Sequence, residues 1–181
     1  MRQPGFRRMI AYSSIAHAGY LFYAFLGDGP GRFQAIVFYL VAYGVMNLLA
    51  FASLPQDADD ATRDRLETLK GLYARRPYAA VMIGIAMLSL AGIPPFPGFV
   101  AKFLIFRNVM MAGYTAYAVL GLVGSYLGIY FYLRVIQYMF MSPAAAAREG
   151  APAKVAVSAG LLCLAAAIVL SVLPGWAIGL L

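Results

Sequence analysis

Charge is scarce in this chain. Its 181 residues carry 7 acidic and 14 basic side chains, only 12% of the sequence, and the mean hydropathy is +0.78. So little charge cannot clothe the surface of a soluble domain of this length. Cysteine is almost absent: Cys163 stands alone, lies in an apolar run and can pair with nothing in the chain, which makes it a small core residue. One histidine, one cysteine and no carboxylate in any long apolar run cannot assemble a ligand set, so no metal site is expected. Walker loop, dinucleotide glycine fingerprint, CxxC pair and haem motif are all missing. No redox centre is therefore expected in this chain. The alternating segments of a membrane β-barrel are missing too.

What is there is hydrophobic, 63% of the residues. Runs free of Lys, Arg, Asp and Glu extend from Met9 to Gly27, Phe33 to Gln56, Pro77 to Ala101, Asn108 to Leu133 and Val155 to Leu181. Each can span about 30 Å of hydrocarbon at about 1.5 Å per residue. The expected fold is an all-α integral membrane protein, a bundle of five transmembrane helices with the third discontinuous. Residues 1–181 form one transmembrane domain, with 56–76 as a cytoplasmic surface segment.

The net charge of +7 does not point to nucleic acid, because most of the cations lie between spans. One face of the membrane receives Arg2, Arg7, Arg8, Arg63, Arg65, Lys70, Arg75, Arg76, Arg148 and Lys154; the other receives only Arg32. The basic face should be cytoplasmic, which places the N-terminus inside, the C-terminus outside, and Trp176 at the outer interface. Arg7 and Arg8 also suggest a twin-arginine signal, but Tyr12, Ser13, Ser14, His17 and Tyr20 are too polar for a signal core.

Along the chain, the first helix is expected from about Arg7 to Leu26, ending at GDGPG, and the second from about Phe33 to Leu54. Leu66, Leu69 and Tyr73 share a helical face and predict a short helix lying on the membrane surface. The third span is interrupted: a half-helix from Tyr78 to Ala91, a break from Gly92 to Gly98, and a second half from Phe99 to Met111. Tyr114 to Phe140 follows, where Gly121, Gly124 and Gly128 permit close helix approach, and after a Pro/Ala/Gly linker Lys154 to Leu173.

The break carries the chemistry. Pro94, Pro95 and Pro97 donate no backbone hydrogen bond, and with Gly92 and Gly98 they stop a helix at membrane depth. Interrupted backbone survives there only where protein or water satisfies it. Beside it stands Lys102, in the first turn of the second half-helix, an amine able to load and release a proton. The alternative is a lysine that snorkels to an interface. Ser13, His17 and Tyr20 share a face of the first helix, a hydroxyl–imidazole–phenol row that can pass protons or simply bind a neighbouring helix. Tyr43 and Asn47 on the second helix, and Tyr126 and Tyr130 on the fourth, are candidates to support a polar path; interhelical bonding and aromatic anchoring are their alternatives. Arg107, just over one turn beyond Lys102, is expected to snorkel outward; the alternative is that it holds Lys102 neutral by repulsion.

Four segments, FRRMIAYSSIAHAGYLF, LETLKGLYARRP, MLSLAGIPPFPGFVAKF and GSYLGIYFYLRV, resemble the antiporter-like membrane subunits of proton-pumping NADH-quinone oxidoreductase, respiratory complex I, and subunit N most of all. The Lys102–Phe103 pair is similar to that subunit, whereas a sister subunit carries glutamate in this region. The resemblance implies the second of two inverted repeats plus the last helix, hence a C-terminal part, a fragment or a split gene product. It implies that Lys102 is the lysine of a discontinuous helix near the outward end of a proton path and that His17 belongs to the same chain of ionisable groups. It also implies membrane-arm subunits as partners. NADH, FMN, iron–sulfur clusters and quinone would be held by other subunits, and no catalytic residue is expected here.

Two other functions fit the residues: a subunit of a multi-subunit sodium/proton antiporter, and a structural membrane subunit whose break only shapes packing.

Overall fold

The computed structural model describes residues 5–29, 31–55, 65–143 and 154–179. Helix α1 is Phe6–Ala24 and α2 is Arg32–Ala52; a 3₁₀ turn at Leu66–Leu69 leads to the one-turn α3, Leu72–Arg75. The interrupted span is α4, Pro77–Ala91, followed by α5, Pro97–Met111. Helices α6, Thr115–Met141, α7, Lys154–Val172, and the short α8, Pro174–Gly179, complete the chain. Segments 32–52, 115–141 and 155–172 are long and apolar enough to cross a membrane. With α1 and the α4–α5 pair they form the expected all-α bundle of five crossings, the third discontinuous.

Helix α4 is apolar all round and sits at the centre, packed by α2, α6 and α5, with Ala80, Ile83, Ala86 and Met87 fully buried. Its neighbours bury one face and expose another. On α6, Leu120, Leu127 and Tyr130 are more than 60% exposed, while Val135 and Met139 are buried. Outward apolar faces of this kind suit lipid or further membrane helices. The ends of the bundle are fixed by polar contacts. At one end Gly71 N–H donates to Tyr138 O at 2.9 Å, and Gly5 and Arg65 form an isolated bridge, gathering the basic segments. At the other, Asn108 Nδ2 donates to Gly31 O at 3.1 Å.

Three local expectations change. The break is narrower: α5 begins at Pro97, not Phe99, because proline has no N–H to lose at the first helical position and its φ is already helical. The surface segment is not one helix. Gly71 takes φ 63° between the 3₁₀ turn and α3, which shifts the helical phase so that Leu66, Leu69 and Leu72 are buried and Tyr73 is 49% exposed. Of the three glycines on α6, only Gly121 is a close approach, with the Phe106 ring 2.6 Å and Tyr23 3.0 Å from where a Cβ would stand; Gly124 and Gly128 meet nothing within 4 Å.

Residues 56–64 of the surface segment, Pro30 of the first turn and the linker at 144–153 lie outside the described residues, as do Arg2, Arg63 and Arg148. Trp176 falls on α8 at the end away from the basic segments, 60% exposed, and Arg107 is exposed.

Candidate functional site

A helix leaves its last four carbonyls without intrahelical partners, and inside a bilayer each one must be satisfied. In α4 these belong to Leu88, Ser89, Leu90 and Ala91. Gly92, at φ 83°, closes the helix: its N–H donates to Ser89 O at 2.9 Å and the Ile93 N–H to Leu88 O at 3.1 Å. That left-handed closure satisfies two of the four. Lys102 satisfies the others. Its Nζ donates to Leu90 O at 3.2 Å and to Ala91 O at 3.0 Å.

Lys102 is in the second turn of α5 rather than the first, since the helix starts earlier than expected. A helical side chain leans toward its own N-terminus, which carries the amine back across the break. The third ammonium proton goes to Ser125 Oγ on α6 at 2.9 Å, and the Tyr20 ring lies 5.2 Å away from Nζ. Lys102 is only 7% exposed. Three donors meet three neutral acceptors and an aromatic face, so the buried amine is fully bonded without a carboxylate. The carbonyl end of α4 supplies the negative potential, opposing the positive end of α5. Gly92 leaves the room: a Cβ there would stand 3.0 Å from both Cδ and Nζ of Lys102.

The restart of α5 has its own cap. Pro97 has no N–H, and the Gly98 N–H donates to the fully buried Ser89 Oγ at 3.0 Å. Pro94 and Pro95, joined by a cis peptide, lie exposed in the break, and Pro97 is buried.

His17 occupies a second cluster. Its Nδ1 pairs with the Tyr39 hydroxyl at 2.7 Å and its Nε2 with the Tyr132 hydroxyl at 3.0 Å. Ser13 bonds the same Tyr132 hydroxyl, and Ser14 bonds the Tyr43 hydroxyl at 2.6 Å while donating to Ile10 O at 3.0 Å. The Tyr43 ring lies 4.5 Å from the imidazole. Tyr20 stands between the clusters, edge to face with His17 at 5.9 Å and turned toward Lys102. A void of about 10 Å³, the size of one water, is lined by His17, Tyr39, Tyr43, Ser89, Leu90 and Ala101. It lies between the imidazole and the broken backbone.

The structure thus brings Lys102, His17, Ser13, Tyr20 and Tyr43 together with the glycines of the break. Others stand apart. Asn47 bonds back to Tyr43 O at 2.8 Å, one turn away from the cluster, and Tyr126 and Tyr130 are 65% and 66% exposed on the outer face of α6. Sequence reasoning missed Tyr39, Tyr132, Ser125 and Ser89. Tyr39 precedes Tyr43 by one turn, and Ser125 and Tyr132 are seven apart, two turns on one face. With 13 tyrosines to choose from, that spacing alone did not select the inward pair.

A family model described as "NADH:quinone oxidoreductase/Mrp antiporter, TM" matches residues 1–128. The chain is 41% identical over 155 residues to the NADH-quinone oxidoreductase subunit N of Pelobacter propionicus, covering 84% of this chain and 33% of that one. It is 41% identical over 174 residues to the subunit N of Geobacter metallireducens, covering 96% and 37%. Among solved structures it is similar to a chain of respiratory complex I from Thermus thermophilus with bound aureothin, at a TM-score of 0.83 and 39% identity, over 98% of this chain and 40% of that chain. The chain therefore spans between 33% and 37% of the length of these two relatives.

Proposed function

Because the chain belongs to the NADH:quinone oxidoreductase/Mrp antiporter transmembrane family, we propose that it is the Lys102-bearing part of subunit N of a proton-pumping NADH-quinone oxidoreductase. The observation that carries this reading is the buried amine of Lys102 bonded to Leu90 and Ala91 carbonyls at a helix break. Its partners are then other membrane-arm subunits in a bacterial inner membrane, with the N-terminus of this chain cytoplasmic and its C-terminus periplasmic. NADH, FMN, iron–sulfur clusters and quinone belong to those other subunits. This chain moves protons and oxidises nothing.

The proton chemistry follows from donor and acceptor counts. As an ammonium, Lys102 fills both α4 carbonyls and Ser125 Oγ. After losing a proton it keeps two N–H donors and gains a lone pair, which a carbonyl cannot complement but a serine hydroxyl can. If Ser125 turns from acceptor to donor, the amine keeps both α4 carbonyl bonds; if it does not, one of those carbonyls loses its bond, so the Ser125 hydroxyl decides whether the break registers each proton cycle. On the other side, the neutral imidazole of His17 needs one donor and one acceptor, and Tyr39 and Tyr132 provide either role by rotating their hydroxyls. Tyr132 passes the row on to Ser13. A proton route through His17, the water-sized void, Tyr20 and Lys102 is what this arrangement supports.

The test is made in the assembled complex by replacing Lys102. Lys102→Ala should abolish proton uptake driven by NADH oxidation, and Lys102→Arg should assemble but not pump, because guanidinium does not release its proton. Undiminished pumping by assembled Lys102→Ala would leave only a structural role. The family description also names an antiporter. Purified complex that reduces no quinone with NADH would favour that second reading.

A further inference from the structure

At the basic end of the bundle, away from Lys102, a cavity of about 170 Å³ opens where α2 ends and α4 and α7 begin. Ser53, Leu54, Arg76, Tyr78, Ala156 and Val157 line it. Ser53 is 93% buried, as 7% exposure implies, and its Oγ has no hydrogen-bond partner among the described residues. A buried hydroxyl without a partner is destabilising and is rarely left so unless something else binds it.

The neighbouring polar atoms point the same way. Tyr78 seals the floor, its hydroxyl donating to Val157 O at 3.1 Å and lying 2.7 Å from where a Cβ on Gly160 would stand. Its proton is spent, while that of Ser53 is not. The N–H groups of Tyr78 and Ala79 precede the first intrahelical bond of α4, made by Ala80 N–H to Arg76 O at 3.1 Å, and Pro77 before them has none. The first turn of a 15-residue helix, Ser53 and Arg76 line one cavity. All are donors, and the walls between them are apolar. That is the chemistry of an anion attached to a hydrocarbon.

We infer that this cavity holds the phosphate of an anionic glycerophospholipid, bound by Arg76, Ser53 and the first turn of α4, with its acyl chains along the outer faces of α4 and α7. Its position at the level of the basic helix ends is where headgroups lie. Val81 and Val155, 40% and 79% exposed, offer apolar surface beside it.

The experiment uses the full chain, purified in detergent and stripped of lipid, with its thermal unfolding midpoint followed during titration. Short-chain phosphatidylglycerol should raise the midpoint saturably, whereas phosphatidylcholine and inorganic phosphate at equal concentration should not. Ser53→Ala and Arg76→Gln should each weaken the apparent affinity about tenfold, the loss of one hydrogen bond to a charged group. Arg8→Gln, an exposed arginine on α1, should leave it unchanged. Equal protection by inorganic phosphate would replace the lipid with a soluble anion. Equal protection by phosphatidylcholine, no saturable shift, or unaltered affinity in Ser53→Ala would overturn the site. If Arg76→Gln does not fold, Ser53→Ala decides, since it removes one oxygen only.

Discussion

Ser89 and Gly98 join the two halves of the broken span: the Gly98 N–H donates to Ser89 Oγ at 3.0 Å, and a Cβ on Gly98 would stand 1.9 Å from the Ser89 carbonyl oxygen. The serine side chain caps the second half, while its own carbonyl belongs to the closure of the first. One residue thus serves both ends of the gap. The geometry of Lys102 depends on it, because that amine reaches from one half to the other.

Gly98→Ala should therefore disrupt the break outright. The clash is with backbone, which cannot swing aside, so the cost should exceed the about 1–3 kcal/mol of ordinary overpacking. Ser89→Ala is milder, leaving the Gly98 N–H unpaired at about 1–3 kcal/mol. Thermal unfolding in detergent should rank the two in that order. Equal midpoints for Gly98→Ala and the parent chain would show that the halves are not in contact.

Gly92→Ala separates the position of Lys102 from its presence. At φ 83° an L side chain costs about 1–2 kcal/mol, and the new methyl would press on the lysine Cδ and Nζ. The variant should fold with a lower unfolding midpoint. In the assembled complex it should pump more slowly although Lys102 is intact.

Tyr132 and Tyr130 lie two residues apart on α6 and should behave oppositely. Tyr132→Phe removes a hydrogen bond to His17 Nε2 and the bond to Ser13, while Tyr130 is 66% exposed. Proton uptake in the assembled complex should fall about fivefold or more in Tyr132→Phe, the equivalent of about 1 kcal/mol, and stay unchanged in Tyr130→Phe. A proton uptake rate that responds equally to both would disconnect the His17 cluster from the route.

The helical spans were legible because long uncharged runs admit few other structures in a membrane, and the break because Pro94, Pro95 and Pro97 cannot sit inside an α-helix. Lys102 was legible for the same energetic reason: a lone cation among apolar residues demands compensation. What compensates it was not. Leu90 and Ala91 contribute backbone oxygen, to which their side-chain identities give no clue, and Ser125 is one of several serines in apolar runs. Tyr39 and Tyr132 needed the rotation of α2 and α6 about their axes. Composition leaves that undetermined when a helix is apolar on nearly every side, as α6 is. The phase change at Gly71 was hidden too, because three leucines and a tyrosine fit an uninterrupted helix equally well on paper.

The bonding of Lys102 solely to neutral groups has an energetic consequence. In a buried ion pair, discharging one member strands the other, a penalty of several kcal/mol. Here the counterion is a set of peptide dipoles, which carry no net charge to abandon. In the proposed route, loss of a proton from this lysine would leave no other ion stranded in its shell, so the unwound backbone would serve as a reusable electrostatic seat.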